Sequence, residues 1–474
     1  MIVTAIYTFF IIGVCAFVLS FNWKTKRLYT NYTLIPYRIP ILGHLFDFLK
    51  DANQFIFDNF AKYGSIFTAN ICGQRFTFLL DVHDLLTMTK NPSLVFSGSE
   101  MVTTIFGSRR VEKDIQEDIA QVLHKTIYPQ TLQRSDALNA LTVRFVESFH
   151  QSLEKDRMSS NEEWRQCTLF DLCHRFIFGA STRALFGDIE DEELKELETN
   201  FVTFNDKFYV FSRGLPVWFY KLFYRSAYQA REKGIKLLIK QRPNQSEFIT
   251  AAREFYEEKH GDVFSPTDVG ARMMIFFWAS LGNTIPATFW VLYYLLTTDK
   301  GRVLEVLRDE ILTHGENMNE MKVADSVINE TLRLIGNVFL MRCTYKEDGT
   351  SLDLHDGRQL HIHPKDLVCY YPTISHYDKS IFPDPYKFQY DRFLHLDKLP
   401  GSYMPFGIGK SMCPGRFFVR NEVKTILITL VKEIELELVD FNYQQRPRFR
   451  KECVGTGVMV PDRDVKVRYR FKKQ

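Results

Sequence analysis

The chain has 474 residues, 45% hydrophobic and 25% charged, with a formal net charge of +3. That is the composition of a globular protein of two or three domains by length alone, and it offers no concentrated basic surface for nucleic acid. It shows no fixed-period repeat, low-complexity run or phosphate loop, and its 42 Phe point to an apolar interior or an apolar ligand pocket.

In chain order, residues 2–23 come first and carry no charge over 22 positions. As a helix they would reach ~33 Å, enough for a hydrocarbon core of ~30 Å. Lys24, Lys26 and Arg27 follow at once, which predicts a membrane anchor (1–23) with the rest of the chain in the cytosol. A cleaved signal peptide is the alternative, but no basic region precedes the stretch and it is long for a signal core. Residues 24–44 read as a stiff linker carrying Pro36 and Pro40, ahead of a body at 45–474. The body opens with an amphipathic helix ("ANQFIFDNFAKYG") and two strand-like runs ("SIFTANI", "RFTFLLD"). From Ile119 to Glu310 the periodicity is mostly helical. Within it "VGARMMIFFWASLGNTIPATFWVLYYLLTTD" is apolar nearly all round, and its interruption at Gly282, Asn283, Thr284 and Pro286 favours a buried helix beside a site over a second span. Short strands and turns follow from Tyr345 to Ile381. A last helix ("FFVRNEVKTILITLVKEI") then precedes further strands. The expected fold is mainly α with small β-sheets.

The eight cysteines are scattered with no CxxC pair, so a disulfide framework or zinc cluster is not expected, and reduced thiols suit a cytosolic body. Cys413 stands apart. Phe406, Gly407 and Gly409 precede it in "YMPFGIGKSMCPGRFF", and Pro414, Gly415 and Arg416 follow. A thiolate bound to iron needs a backbone that comes close and donates N–H groups to sulfur. Glycines permit that approach, and the helix beginning after the cysteine points its positive end at the anion.

Here the sequence resembles the cytochrome P450 family. "FGIGKSMCPGR" matches that family's haem-thiolate signature, "ETLR" supplies the ExxR pair Glu330 and Arg333, and "PDPYKFQYDRF" supplies Arg392. "WASLGNTIPATFW" falls on the oxygen-activation helix. The resemblance implies a P450-like fold with one N-terminal transmembrane helix, a haem b held by the Cys413 thiolate, and a monooxygenase. Glu330 and Arg333 are three apart and share a helix face, so with Arg392 they can form a charge cluster that supports the cysteine loop. The resemblance further implies that Phe406, Gly407 and Gly415 contact the haem and that Arg342 pairs with a propionate. Ser411 replaces the usual basic residue there, with Lys410 beside it. Lys125 in "LHKTIY" stands in for the family's missing Trp-and-Arg contact.

The family's acid and alcohol on the oxygen helix are replaced by Gly282 and Asn283, with Thr284 one residue on. A helix turns ~100° per residue, so Thr284 faces another way, and Pro286 leaves the Gly282 carbonyl without its helical partner. The expectation is a kink with a free carbonyl and the Asn283 amide near the haem, able to order a water or a substrate hydroxyl; the alternative is that Asn283 only caps the distortion. "WASLGNTIPATFW", "KYGSIFT" and "YMPFG" are similar to the sterol 7α-hydroxylase branch. A relative of that branch, prostacyclin synthase, also carries Gly-Asn here but isomerises a lipid endoperoxide without oxygen or reductase. A decayed, non-enzymatic haem protein is a third reading.

The resemblance implies an apolar pocket lined by Phe106, Phe277, Trp278, Ala287, Val338, Phe339 and Val458, suited to a sterol. It implies an NADPH-dependent reductase as partner, docking on Lys410, Arg416, Arg420 and Lys424, and residence in the endoplasmic reticulum membrane, so NADPH acts only through the reductase. The sequons at Asn31, Asn244 and Asn329 would be unused in a cytosolic body.

Overall fold

The computed structural model describes residues 34–472, apart from positions 38, 40–41, 97–102, 160–162, 315–316, 397 and 410–411. The anchor, most of the linker, Asn31, Lys410 and Ser411 lie outside the described residues.

Capping chemistry sets the first elements. Asp51 accepts the Gln54 N–H at 3.0 Å and starts helix α1 (Ala52–Tyr63). Strands β1 (Ile66–Ile71) and β2 (Gln74–Leu79) follow as an antiparallel pair, then α2 (Val82–Lys90) and β3 (Val95–Phe96). With β6 (Leu340–Cys343) and β9 (Leu367–Tyr370) they form a five-stranded sheet in the order β1-β2-β9-β6-β3, parallel only between β2 and β9.

The helical part runs through α3 (Lys113–Val122), α4 (Ser135–Met158), α5 (Leu169–Phe186), α6 (Asp191–Asn205), α7 (Val217–Phe223) and α8 (Arg225–Ile239). Between α3 and α4 the chain widens into two π-helical turns, Leu123–Ile127 and Pro129–Gln133. Pro129 has no N–H to return to the Lys125 carbonyl, which favours the wider turn. Strand β4 (Arg165–Thr168), which carries no strand signal in the sequence, joins β10 (Ile434–Leu438) and β12 (Lys466–Phe471) in a second sheet.

The core element is the long apolar segment. It is two helices, α9 (Pro266–Gly282) and α10 (Thr284–Thr297), broken at Asn283 as Pro286 predicts. A capping box between Ser265 and Asp268, with Pro266 at the first position, fixes the start. By length and composition Pro266–Thr297 could cross a membrane, but 61% of its most apolar window is buried within the fold. It packs on α5, α8 and α12 (Lys322–Ile335). Helix α11 (Arg302–His314) precedes α12, and α13 (Arg416–Glu433) lies against α4 and α12. The remaining strands pair as β7 (Thr350–Asp353) with β8 (Gln359–Ile362) and β5 (Gly336–Val338) with β11 (Thr456–Val458).

One buried acid makes the core sensitive to pH. Glu422 on α13 is 1% exposed and accepts a hydrogen bond from the Ser181 hydroxyl on α5. Burial pushes its pKa up from 4.5 to about 8, so folding holds a proton that the unfolded chain releases. This group's contribution to stability is full below pH 4.5 and is lost as pH rises through about 8. Glu422→Gln keeps the shape without the titration. Its thermal midpoint is expected to exceed that of the parent at pH 8 and to match it at pH 5, read by calorimetry.

Candidate active site

The site is built outward from α12. Its terminal turn buries Glu330 and Arg333 completely, at 0% exposure each. Arg333 donates Nε to Glu330 Oε2 at 2.8 Å and Nη2 to Oε1 at 2.9 Å, a bidentate pair. Arg392 adds its Nε at 3.0 Å from both carboxylate oxygens, and the Gln389 N–H donates to Oε1 at 3.1 Å. The remaining guanidinium donors reach backbone carbonyls: Arg333 to His376 at 2.6 Å and Pro385 at 2.8 Å, Arg392 to Pro383 at 2.6 Å. The structure therefore brings together the three residues that the sequence singled out, and their hydrogen bonds fix the loop from His376 to Arg392.

His376, which nothing in the sequence flags, passes that order on to the cysteine loop. Burial and the nearby Arg333 push its pKa down to about 3, so the ring is neutral. Its Nε2 accepts the Met404 N–H at 3.1 Å, at the start of the loop. Asn329 is a second tether. It is 7% exposed, accepts the Tyr403 hydroxyl at 3.0 Å and receives Arg420 Nη2 on the same oxygen at 2.5 Å. That sequon is a buried scaffold residue. Tyr403 and Arg420 flank Cys413 in sequence, so both sides of the loop are tied to the helix that carries Glu330.

Within the loop Gly407 holds a φ of +77° that a side chain would strain, and the Cys413 N–H donates to the Phe406 carbonyl at 2.8 Å. A Cβ built on Gly409 or Gly415 meets no atom within 4 Å, so this side of the loop is open. The Arg420 guanidinium lies 5.5 Å from the Phe406 ring centroid. Burial pushes the Cys413 thiol up; the Gly415 N–H and Arg416 offset only part of that. The helix start and amide donation expected to favour the anion do not outweigh burial by themselves. Tyr128, at the junction of the π turns, is close enough for Cys413 to act on its own titration.

Of the two cations expected to pair with the cofactor's acids, Arg342 is 4% exposed on β6, where it donates to the Met341 carbonyl at 2.9 Å. Burial lowers its pKa, so an anion placed beside it would be favoured. Lys125 is solvent-exposed on the first π turn. The neighbouring His124 stacks edge-on against Tyr128 with ring centroids 5.1 Å apart, and burial lowers its pKa.

Asn283 departs from expectation. It sits at the helix break with φ −104° and ψ −34°, and its Oδ1 accepts the Val458 N–H at 3.0 Å. The amide oxygen is thus committed to the C-terminal turn, while the residue still lines the cleft described below. Trp290 Nε1 donates to the Met459 carbonyl at 2.7 Å, and Asn337 Oδ1 accepts the Gly455 N–H at 2.7 Å. Three side chains therefore fasten β11 to the break, with Val338 opposite Thr456. Asn283 and Val458 meet there. Ala287, 4% exposed, lies one turn on and donates its N–H to the Asn283 carbonyl at 3.1 Å. Phe339 packs on Tyr371, with centroids 5.0 Å apart. Thr284 is 3% exposed and its carbonyl accepts the Thr288 hydroxyl at 3.0 Å.

Phe106 and Trp278 belong to a separate aromatic roof. The Trp278 ring stacks on Phe208 at 3.7 Å, lies 5.8 Å from Phe106, and donates Nε1 to Asn205 at 2.9 Å. Phe277 points elsewhere, into a cluster with Phe178, Phe186 and Phe201. A cleft of about 660 Å³ reaches Trp278, Gly282, Asn283 and Val458 from between α5 and α6, with His174 and Glu198 near its polar rim.

Two of the residues expected to face a partner turn inward. Lys424 is 5% exposed, pairs with Asp325 at 2.9 Å and donates to the Met318 carbonyl at 2.6 Å; Arg420 is spent on Asn329 and lies 3.7 Å from Asp325. Both face the scaffold because α13 packs on α12. Arg416 remains partly open over the Phe417 ring at 4.3 Å.

Residues 34–467 match the family model described as cytochrome P450. The chain is 30% identical to rabbit (Oryctolagus cuniculus) cytochrome P450 7A1, over 98% of this chain and 99% of that one. It is 27% identical to mouse (Mus musculus) cytochrome P450 7B1, covering 92% and 89%. With the human (Homo sapiens) 7-alpha-hydroxycholest-4-en-3-one 12-alpha-hydroxylase it shares 30% over 91% of each. The retinoic acid-bound cyanobacterial CYP120A1 superposes with a TM-score of 0.71 at 19% identity, covering 93% of this chain and all of that one.

Proposed function

Since the chain belongs to the cytochrome P450 family, we propose that it is a haem-thiolate monooxygenase that hydroxylates a sterol or similar apolar lipid, drawing electrons from an NADPH-dependent reductase. The observation that carries this reading is Cys413, in a glycine-punctuated loop that His376 ties to the Glu330–Arg333–Arg392 cluster. Relatives named as a cholesterol 7-alpha-monooxygenase and as 12-alpha-hydroxylases, similar along 92% of the chain, support the substrate class.

Cys413 would hold the haem iron, the open side of the loop at Gly409 and Gly415 would admit the macrocycle, and Arg342 would take a propionate. When bound, a thiolate-ligated haem supplies oxygen activation and O–O cleavage. The protein then excludes water, orients the substrate and brings protons. Val338, Val458 and Ala287 give an apolar wall that the three tethers hold still. With no acid at position 282, proton supply falls to water ordered by the carbonyl of Gly282, which Pro286 leaves without a helical N–H. The cleft from α5 and α6 gives solvent a way to that point.

Residence at a membrane surface has its own support. Helix α7 exposes Trp218, Leu222 and Phe223 at 62%, 67% and 61%, beside Lys221. An apolar face of that kind with a flanking cation suits the lipid interface. The uncharged residues 2–23 add a single-pass anchor in the endoplasmic reticulum.

The test is product analysis under ¹⁸O₂ in membranes with reductase, NADPH and a sterol pool. The expected product gains one ¹⁸O and depends on both NADPH and reductase. Asn283→Ala, which releases Val458, should lower product formed per NADPH by about tenfold to a hundredfold. Unlabelled product made without NADPH from a lipid endoperoxide would sink the hydroxylase reading in favour of the isomerase.

A further inference from the structure

The end of β2 and the turn after β7 bring two imidazoles and a carboxylate together, away from the cysteine loop. Asp81 caps α2 by accepting the His83 N–H at 2.9 Å. Its Oδ1 lies 2.8 Å from His83 Nδ1 and its Oδ2 lies 3.7 Å from His355 Nε2. One ligand atom from each of Asp81, His83 and His355 can be chosen so that all lie within 4.8 Å of one another.

A fourth residue gives this cluster its direction. Asp84 is 1% exposed, yet it is a carboxylate, and both its oxygens are used on His355: one accepts the backbone N–H at 2.7 Å, the other faces Nδ1 at 3.0 Å. The carboxylate behind Nδ1 fixes the ring's orientation and leaves Nε2 as the nitrogen that faces Asp81. This is the arrangement a ligating histidine keeps behind it.

We propose that Asp81, His83 and His355 bind one divalent cation of the zinc class, with Asp84 as the outer carboxylate and water completing the coordination. Two imidazoles and one carboxylate suit zinc, whereas calcium and magnesium take oxygen donors. Tetrahedral bonds of ~2.0–2.1 Å put neighbouring donors about 3.3 Å apart. The two Asp81 oxygens lie 2.8 Å from His83 Nδ1 and 3.7 Å from His355 Nε2, so the three donors need only sub-ångström to ångström shifts to reach it. The side chains of His83 and His355 are 70% and 42% exposed, so a small rotation closes the site without disturbing the core. The ion would clamp α2 to the β7–β8 hairpin, which shares no ladder with the five-stranded sheet and is held by apolar packing of Leu352 and Leu360 beside Leu85.

The test uses the full-length haem-loaded chain in detergent, without a histidine tag, freed of metal by chelator and dialysed against ZnCl₂. One equivalent of zinc is expected at micromolar affinity, with about tenfold or greater loss in His83→Ala and in His355→Ala and a 10–100-fold loss (about that range) in Asp84→Asn. Zinc-edge X-ray absorption, which the haem iron does not obscure, should show imidazole scattering with donors at ~2.0–2.1 Å. His361→Ala and His363→Ala, whose rings form a separate pair 4.8 Å apart, should bind as the parent does. Absence of saturable binding, unchanged affinity in the His83–His355 double variant, or loss confined to the His361 and His363 variants would each overturn the proposal.

Discussion

Replacing Cys413 by alanine yields a folded chain that retains no haem-thiolate signal: the red-shifted Soret band of the reduced carbonyl complex disappears and sterol hydroxylation falls to background. The substitution removes one sulfur and leaves the loop's own tethers intact, because His376, Asn329 and the Phe406 carbonyl hold the backbone and not the thiol. Far-ultraviolet circular dichroism should therefore match the parent. Cys167→Ala is the control, since that thiol is half-buried on β4 and its pKa of about 11 reflects burial alone in the main. If Cys413→Ala kept the red-shifted band, the iron would have another thiolate and the site assignment would fail.

The second large effect is structural. Glu330→Ala is expected to lose most of its haem and to unfold at a much lower temperature than the parent. It strands Arg333 and Arg392, buried at 0% and with a side chain only 7% exposed, without the carboxylate that both share. Breaking a buried charge cluster by removing one partner costs about 3–5 kcal/mol, against a total stability of about 5–15 kcal/mol. Haem occupancy and thermal midpoint should fall together. Arg392→Lys should lie between, because a lysine returns the charge but not the fork that reaches Glu330 and the Pro383 carbonyl at once. Full haem occupancy in Glu330→Ala would mean that the loop is held without the cluster.

The sequence disclosed what depends on local spacing. Glu330 and Arg333 share a helix face, Pro286 breaks the apolar helix, and glycines surround Cys413; each feature can be seen within a dozen residues. Partnerships made across the fold were not visible. Asn283 looked like a group awaiting a ligand, because the donor its amide oxygen accepts, the Val458 N–H, lies 175 residues away. His376 and Asn329 gave no signal, since a neutral buried ring and a sequon inside a helix acquire their roles only when the loop closes over them. Arg420 and Lys424 read as a charged surface stripe until α12 covered it. Strand β4 has no apolar alternation because its pairing with β12 decides it. Tertiary context overrode local pattern in each case.

The contact between Trp278 and Gly282 bears on how this helix can change over generations. A Cβ at position 282 would stand 2.8 Å from the indole ring. The ring cannot swing aside cheaply, being stacked on Phe208 and bonded to Asn205. An acid cannot enter at 282 while the tryptophan stays, and the tryptophan cannot be traded without opening the aromatic roof. The two positions are coupled, one turn apart: a side chain at 282 calls for a smaller residue at 278 in the same step.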